Sequence, residues 1–476
     1  MKKSLIRSVF WSAVDRFAVV ALQVVIEILL ARLLLPADYG LIGMVAVFIA
    51  IAQVFIDSGF MNALIQKKDR TETDYSTVFY TSVGIAVLVY AVLFFCAPFI
   101  AQFYDVPQLK LIVRILGLNI IFNSLAIVYR AKLSVSMDFK SQARFSVIAV
   151  ILSGIVGIWM AATGWGVWSL VVQMVTMYAL NAVLLIYNLR WWPVYGFSMD
   201  SFRKLFGFGS KLLLAGVIQA VYSNVYQLVI GKVYRASDLG LYTKSMQFTL
   251  YPSSMITNML QRVMFPYLSD YQDDNAKLFE LNKQYYSLIA LAFFPLFTGL
   301  AILAEPFVSI FLTNTWLAAV PVIQILSFAF LLFPFININM YVFQIKGLTG
   351  RFLFIEILTK ATGVIILIVT LNISLIAMCW GLLAQQIFQW IITSYFADKT
   401  LQSQLFSQVR TLLPIVLFSA FLFFLLQGLL SLLNSSWLQL FTGIFLIFLS
   451  YLLFFRLAMN STFRLFLDKI KMLREI

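Results

Sequence analysis

The sequence predicts an all-α integral membrane protein with about fourteen transmembrane helices, arranged as two parallel six-helix lobes and an appended C-terminal helix pair. Three observations predict it. Apolar runs of spanning length recur along the whole chain, Lys and Arg concentrate in every second connection, and one turn motif returns six runs later.

Only 11% of the 476 residues are charged, 62% are hydrophobic, and the mean hydropathy is +0.94. A soluble domain carries about 25% charged residues, so most of this chain must face lipid or other apolar helices. The 46 Phe and 21 Tyr fit lipid-facing surfaces and interfacial belts. In a soluble protein the net charge of +14 would point to nucleic acid. Here the basic residues sit in short connections between apolar runs, where they set topology, and no nucleic-acid partner is expected. The chain has no His, which removes the commonest general base and transition-metal ligand. Cys96 and Cys379 lie inside apolar runs and read as buried inert thiols. There is no P-loop glycine pattern, zinc spacing or acidic cluster of the soluble glycosyltransferase type. No catalytic residue, cofactor or metal is therefore assigned, and the chain reads as a transporter.

A helix needs about 20 apolar residues to cross a bilayer. Such runs occupy residues 10–31, 40–62, 77–100, 110–129, 145–162 and 165–187, then 211–231, 240–262, 286–311, 318–343, 352–371 and 373–396, and finally 411–430 and 437–457. Lys2, Lys3 and Arg7 precede the first run. Every second connection is then basic: Lys67, Lys68 and Arg70; Arg130, Lys132, Lys140 and Arg144; Arg190, Arg203 and Lys204; Lys277 and Lys283; Lys346 and Arg351; Lys399 and Arg410. Arg464, Lys469, Lys471 and Arg474 follow the last run, whereas the opposite connections hold only Arg32, Lys110, Lys232 and Arg235. This asymmetry puts both termini in the cytoplasm and supports an even number of spans.

The repeated motif is LLARLLLPADYGLIG, Leu29 to Gly43, against LVIGKVYRASDLGLYT, Leu228 to Thr243. Asp38, Gly40 and Leu41 return as Asp238, Gly240 and Leu241, Arg32 as Lys232, and the small Ala37 as Ser237. Asp before Gly suits a tight turn in which Asp caps the following helix and Gly takes positive φ. Both turns are expected on the outer side, so the lobes are parallel repeats related by an axis along the membrane normal. Ala97-Pro98-Phe99 and Glu305-Pro306-Phe307 are a second echo. The expected organisation is an N-terminal lobe over 1–190, a cytoplasmic interfacial linker over 191–210, a C-terminal lobe over 211–400, and the appended pair with a basic tail over 401–476. In the linker, Trp191, Trp192 and Tyr195 suit an interface, Pro193 stops simple helix continuation, and Ser198-Met199-Asp200 suits the cap of a short amphipathic helix on the membrane surface.

Ionisable groups inside a span are costly and usually face a bundle interior or a water-filled cavity. Arg16, Gln23 and Glu27, at separations of seven and eleven residues, share one face of the first span. Lys244, Gln247, Tyr251, Ser254, Asn258 and Arg262 follow spacings of three and four and form a polar stripe along the eighth span, with Pro252 inside it. These faces are expected to line a cavity for an anionic or sugar-bearing cargo. The alternative is interhelical hydrogen bonding within a lobe, with Lys244 and Arg262 snorkelling to opposite surfaces. Lys360 is a further substrate-binding candidate, although Glu356 four residues earlier makes an intrahelical pair the default. Asp57 and Glu27 are the candidate ion-coupling groups, with a structural ion pair as the alternative for Asp57. Arg114 and Glu305 read as anchors near outer helix ends.

Five stretches carry a family resemblance by their order and spacing: PADYGL at Pro36 to Leu41, DSGFMNALIQKKD at Asp57 to Asp69, GFGSK at Gly207 to Lys211, SDLGLYTKS at Ser237 to Ser245, and YPSSMITNMLQRVMFPYLS at Tyr251 to Ser269. The chain resembles the polysaccharide-transport, Wzx-type members of the multidrug/oligosaccharidyl-lipid/polysaccharide (MOP) flippase superfamily, similar to exporters of O-antigen, colanic-acid or teichuronic-acid units. The resemblance implies two six-helix lobes around a central cavity in the cytoplasmic (inner) membrane of a bacterium. It implies an undecaprenyl-diphosphate-linked oligosaccharide as cargo for lipopolysaccharide or exopolysaccharide synthesis, and a polysaccharide polymerase and export machinery as partners. A multidrug antiporter of the same superfamily is the first alternative, and a membrane-embedded polymerase or acyltransferase the second.

Overall fold

The computed structural model describes residues 19–458, apart from 58–60, 62, 63, 66, 68, 194, 195, 404 and 405; the side chains at 57, 204–212, 214 and 215 also lie outside the described set. No strand occurs among the described residues. In the first part of the chain the helices are α1 (19–33), α2 (Pro36–Asp57), α3 (Glu72–Tyr104), α4 (Leu109–Leu116), α5 (Leu118–Val135), α6 (Phe139–Ala162), α7 (Val167–Leu189) and α8 (Met199–Val233). They are followed by α9 (Ala236–Ser269), α10 (Asn275–Ile302), α11 (Val320–Leu331), α12 (Phe333–Ile345), α13 (Thr349–Thr370), α14 (Leu375–Thr400), α15 (Ser407–Leu430) and α16 (Ser436–Ala458). The chain forms two compact units, Met1–Gly240 and Leu241–Ile476.

Eleven helical segments among the described residues are long and apolar enough to cross a membrane, so the chain is a multi-pass membrane protein. Large outward side chains such as Phe424, 75% exposed, and Phe448, 67% exposed, require an apolar surround. The expected number was fourteen. Of the difference, the run 10–31 begins outside the described residues, while α8 and α9 are helices of 35 and 34 residues. The α9 sequence falls short in apolarity because Lys244, Gln247, Asn258 and Arg262 interrupt it.

The two repeated turns have matching local chemistry. The Asp38 carboxylate accepts from the Leu35 backbone N–H at 3.0 Å, and the Asp238 carboxylate accepts from the Arg235 N–H at 3.2 Å. Each Asp sits in the first helical turn and satisfies the donor that precedes its helix, which is one half of a capping box. The glycines differ from expectation: neither Gly40 nor Gly240 has positive φ. They are small because the chain passes too close for a side chain. A Cβ on Gly40 would stand 1.7 Å from the Ala236 carbonyl oxygen, and one on Gly240 would stand 1.7 Å from the Pro36 carbonyl oxygen. The first turns of α2 and α9 therefore nest reciprocally, within the first unit.

Prolines organise the packing. A proline inside a helix removes the N–H that the carbonyl four residues earlier would accept, and in a membrane that carbonyl needs another donor. Pro98 releases Phe94 O, which accepts from Arg114 Nε at 3.3 Å, with the guanidinium 4.0 Å from the Phe94 ring centre. Pro306, just past the end of α10, has no N–H to offer Ile302 O, which accepts from Gln427 Nε2 at 3.3 Å. Pro334, in the first turn of α12, has no N–H to offer Phe330 O near the end of α11, which accepts from Ser253 Oγ at 2.7 Å. The echo of Pro98 and Pro306 thus extends to function in the fold: each freed carbonyl is met by a polar side chain of another helix. In the second unit that helix is α15. The pair α15 and α16 is also tied to α10 through Tyr451, whose hydroxyl donates to Thr298 Oγ1 at 2.9 Å and lies 2.5 Å from Ser419 Oγ.

The stretch from 191 is fastened to the first unit, and the helix that Ser198 opens is long rather than short. Ser198 caps α8 by accepting from Ser201 N at 3.3 Å, and α8 runs on without a break to Val233. Trp191 Nε1 donates to Glu72 at 2.7 Å, Tyr129 donates to Trp191 O at 2.8 Å, and Tyr80 donates to Pro193 O at 3.2 Å. Lys132 pairs with Glu72 at 2.8 Å, with its ammonium 4.4 Å from the Tyr75 ring centre and 4.5 Å from that of Trp191. This is a cation held between two aromatic faces and a carboxylate.

Candidate functional site: polar faces of the helices

In the first unit, α1 turns Gln23 and Glu27 to the same side as the buried Ile26 and Leu30, away from the exposed Val24, Val25 and Leu29. Gln23 donates to Met177 Sδ of α7 at 3.9 Å, and Glu27 faces the Tyr39 side chain of α2. A Cβ on Gly154 of α6 would meet Ile26 at 2.3 Å, so the close seat on α6 fixes the rotation of α1. Arg16, expected on this face, lies outside the described residues. Asp57 is the last residue of α2, and its side chain is outside them too.

In the second unit, the α9 stripe divides. Lys244 is 1% exposed, with its ammonium 5.8 Å from the Phe248 ring centre one turn on. Gln247 and Ser254 are half-buried, whereas Tyr251, Asn258 and Arg262 are exposed. Asn258 and Arg262 make no hydrogen bond or ion pair among the described residues. The stripe is thus an accessible face over its later part and packed at its start. The opposite, packed face of α9 is a ridge of small hydroxyl residues, Ser245, Thr249, Ser253 and Thr257, all buried. Three return their protons to the carbonyl four residues earlier: Ser245 to Leu241, Thr249 to Ser245 and Thr257 to Ser253. Small residues at intervals of four let helices approach closely in a membrane, which explains how a helix this polar is seated.

Lys360 pairs with Glu356 on α13 at 3.0 Å, the intrahelical contact that their spacing favours. A further intramembrane cation reads as a loop charge in the sequence. Arg130 lies inside α5, where Nη1 donates to Asn123 Oδ1 at 2.8 Å and Nη2 to Asn181 Oδ1 of α7 at 3.1 Å. Its signal is the series Asn119, Asn123 and Arg130, at separations of four and seven on one helical face. A positive residue close to a run's end reads as a loop charge unless that periodicity is followed through it.

Comparisons with known proteins agree with this picture. The chain is 25% identical over 348 residues to the teichuronic acid biosynthesis protein TuaB of Bacillus subtilis (strain 168), covering 72% of each chain. It is 24% identical over 326 residues to the succinoglycan biosynthesis transport protein ExoT of Rhizobium meliloti (strain 1021), covering 68% of this chain and 66% of that one. Its fold is similar to that of the lipid II flippase MurJ in an inward closed conformation, with a TM-score of 0.71 at 13% identity over 94% of this chain and 98% of that one. The family model described as polysaccharide biosynthesis protein matches residues 29–321, a span that takes in both repeated turns and the whole of α9. The chain belongs to that polysaccharide biosynthesis family.

Proposed function

We propose that the chain is a flippase that carries a lipid-linked oligosaccharide across the cytoplasmic (inner) membrane of a bacterium by alternating access, for surface polysaccharide synthesis. The observation that carries this reading is the coincidence of family and fold: a polysaccharide biosynthesis chain has the fold of a lipid II flippase over 94% of its length. The cargo is of the undecaprenyl diphosphate type, its tail remaining in lipid while the head group meets polar helix faces. The lobes are 1–190 and 211–400, joined by 191–210, with 401–476 appended and both termini cytoplasmic. Gln23, Gln247, Asn258 and Arg262 offer the accessible or half-buried polar groups; Arg16, Lys244 and Lys360 are the further substrate-binding candidates. No covalent chemistry is required of the chain.

An inside-negative potential favours outward movement of a polyanionic head group, by roughly 2.3 kcal/mol per charge per 100 mV. An ion-coupled cycle would instead work through Asp57 or Glu27. A multidrug antiporter calls for a more acidic path than amides and a guanidinium provide. The test is a set of proteoliposomes offered either a polyprenyl-diphosphate-linked oligosaccharide or a soluble cationic dye. The lipid should cross and the dye should not; the reverse result would establish the antiporter. Asp57→Asn, assayed with potential and pH gradient imposed separately, tests coupling: a wild-type rate with a wild-type pH response removes Asp57 from that role.

A further inference from the structure

The Arg130 cluster has a polarity that its hydrogen bonds fix. A guanidinium has only donors, so Asn123 and Asn181 must each turn their amide oxygen toward Arg130 and their NH2 away from it. Those two NH2 groups have no hydrogen-bond partner among the described residues, although Asn123 is only 3% exposed. The cluster therefore carries one positive charge with two amide N–H donors beside it, one on α5 and one on α7. Such an array suits a phosphate oxygen, which accepts several charge-assisted hydrogen bonds at once.

Its depth is also specific. Arg130 is five residues before Val135, the end of α5, which is about 7.5 Å at 1.5 Å per residue. The connection after α5 carries basic residues and is expected on the cytoplasmic side. The polar headgroup layer on each side of the hydrocarbon core is roughly 5–8 Å thick. We propose that Arg130, Asn123 and Asn181 form a phosphate-binding site that receives the diphosphate of the cargo lipid at the inner leaflet, before the head group is moved. The lipid source rests on the flippase reading; the phosphate chemistry of the site does not.

Asn123→Asp and Asn181→Asp test it, because each keeps an oxygen for Arg130, adds an opposite charge, and replaces the outward donor by an acceptor. A purely structural role predicts unchanged or greater stability and no binding defect. The full chain in nanodiscs of zwitterionic lipid is titrated with farnesyl diphosphate and with inorganic pyrophosphate, and its unfolding midpoint is measured. The expected result is a weakening of diphosphate binding by roughly tenfold or more in either variant, with the midpoint not lowered. Should Asn123→Asp unfold, the half-buried Asn181→Asp carries the test. Wild-type affinity for both probes in a folded variant would overturn the site. Equal wild-type affinity for the two probes would overturn its assignment to a lipid and leave a site for free phosphate. If wild type flips the lipid-linked oligosaccharide while folded variants bind and flip as well as it does, the site fails and the flippase stands. If the binding pattern holds but wild type moves no lipid-linked sugar, the flippase reading fails and the site stands.

Discussion

Gly40 and Gly240 occupy the same place in two repeated turns and lie against each other, a Cβ on Gly240 falling 3.1 Å from the Gly40 nitrogen and 1.7 Å from the Pro36 oxygen. The opposing atoms are backbone, so they cannot swing aside as a flexible side chain would. Gly40→Ala and Gly240→Ala should each destabilise the protein by ~1–3 kcal/mol, and by similar amounts because the contact is reciprocal. Gly84, with nothing within 4 Å of its Cβ position, is the control. Gly84→Ala should be neutral or stabilising by up to ~1 kcal/mol. Thermal unfolding in detergent checks all three.

The two ends of the α9 stripe should behave differently. Arg262 is exposed and has no polar partner among the described residues, so Arg262→Ala should change stability by less than ~0.5 kcal/mol while impairing export. Arg262→Lys should rescue only in part, since the planar fork is lost. Lys244 is buried, and Lys244→Ala should impair export together with a lowered unfolding midpoint. Neither change should abolish membrane insertion. Normal export by the double alanine variant at normal expression would remove both residues from the cargo path.

Ser253→Ala leaves the Phe330 carbonyl without its side-chain donor and should destabilise the protein by ~1–3 kcal/mol. Adding Pro334→Ala restores a backbone N–H at the position that would serve that carbonyl. The double variant should therefore regain part of the loss, a coupling that a double-mutant cycle measures.

Topology can be read with single cysteines in a chain whose Cys96 and Cys379 have been replaced. Cysteines at Met137, Ser198 and Ser403 should be shielded from an impermeant reagent outside intact cells, and one at Ser237 should label. Reversed labelling at two of these positions would overturn the orientation.

The repeated turns, the Glu356–Lys360 pair and the Ser198 cap were readable because each depends on neighbours within a few residues, where spacing decides contact. The reason for Gly40 and Gly240 was not readable, since it lies in backbone atoms 200 positions away rather than in local φ. Lys244 and Arg262 look alike in a helical stripe, and only the packing of Ser245, Thr249, Ser253 and Thr257 determines which part of α9 is accessible. Arg130 was read as a loop charge because hydropathy falls where α5 nears its end, although the helix continues to Val135. The helix from Met199 to Val233 joins two segments that the sequence separates, because the interfacial linker and the apolar run after it differ in composition while the helix continues through both.

The central claim is that this chain moves the head group of an anionic glycolipid across a bilayer. The most direct measurement is the rate at which a fluorescent polyprenyl-diphosphate-linked sugar, loaded in proteoliposomes, becomes accessible to an impermeant reductant outside. With the chain present, the inner-leaflet pool should become accessible, faster under a potential negative on the side from which the head group departs, and protein-free vesicles should retain it. Retention of the inner-leaflet pool at every imposed potential, by a folded and correctly inserted chain, would contradict the account.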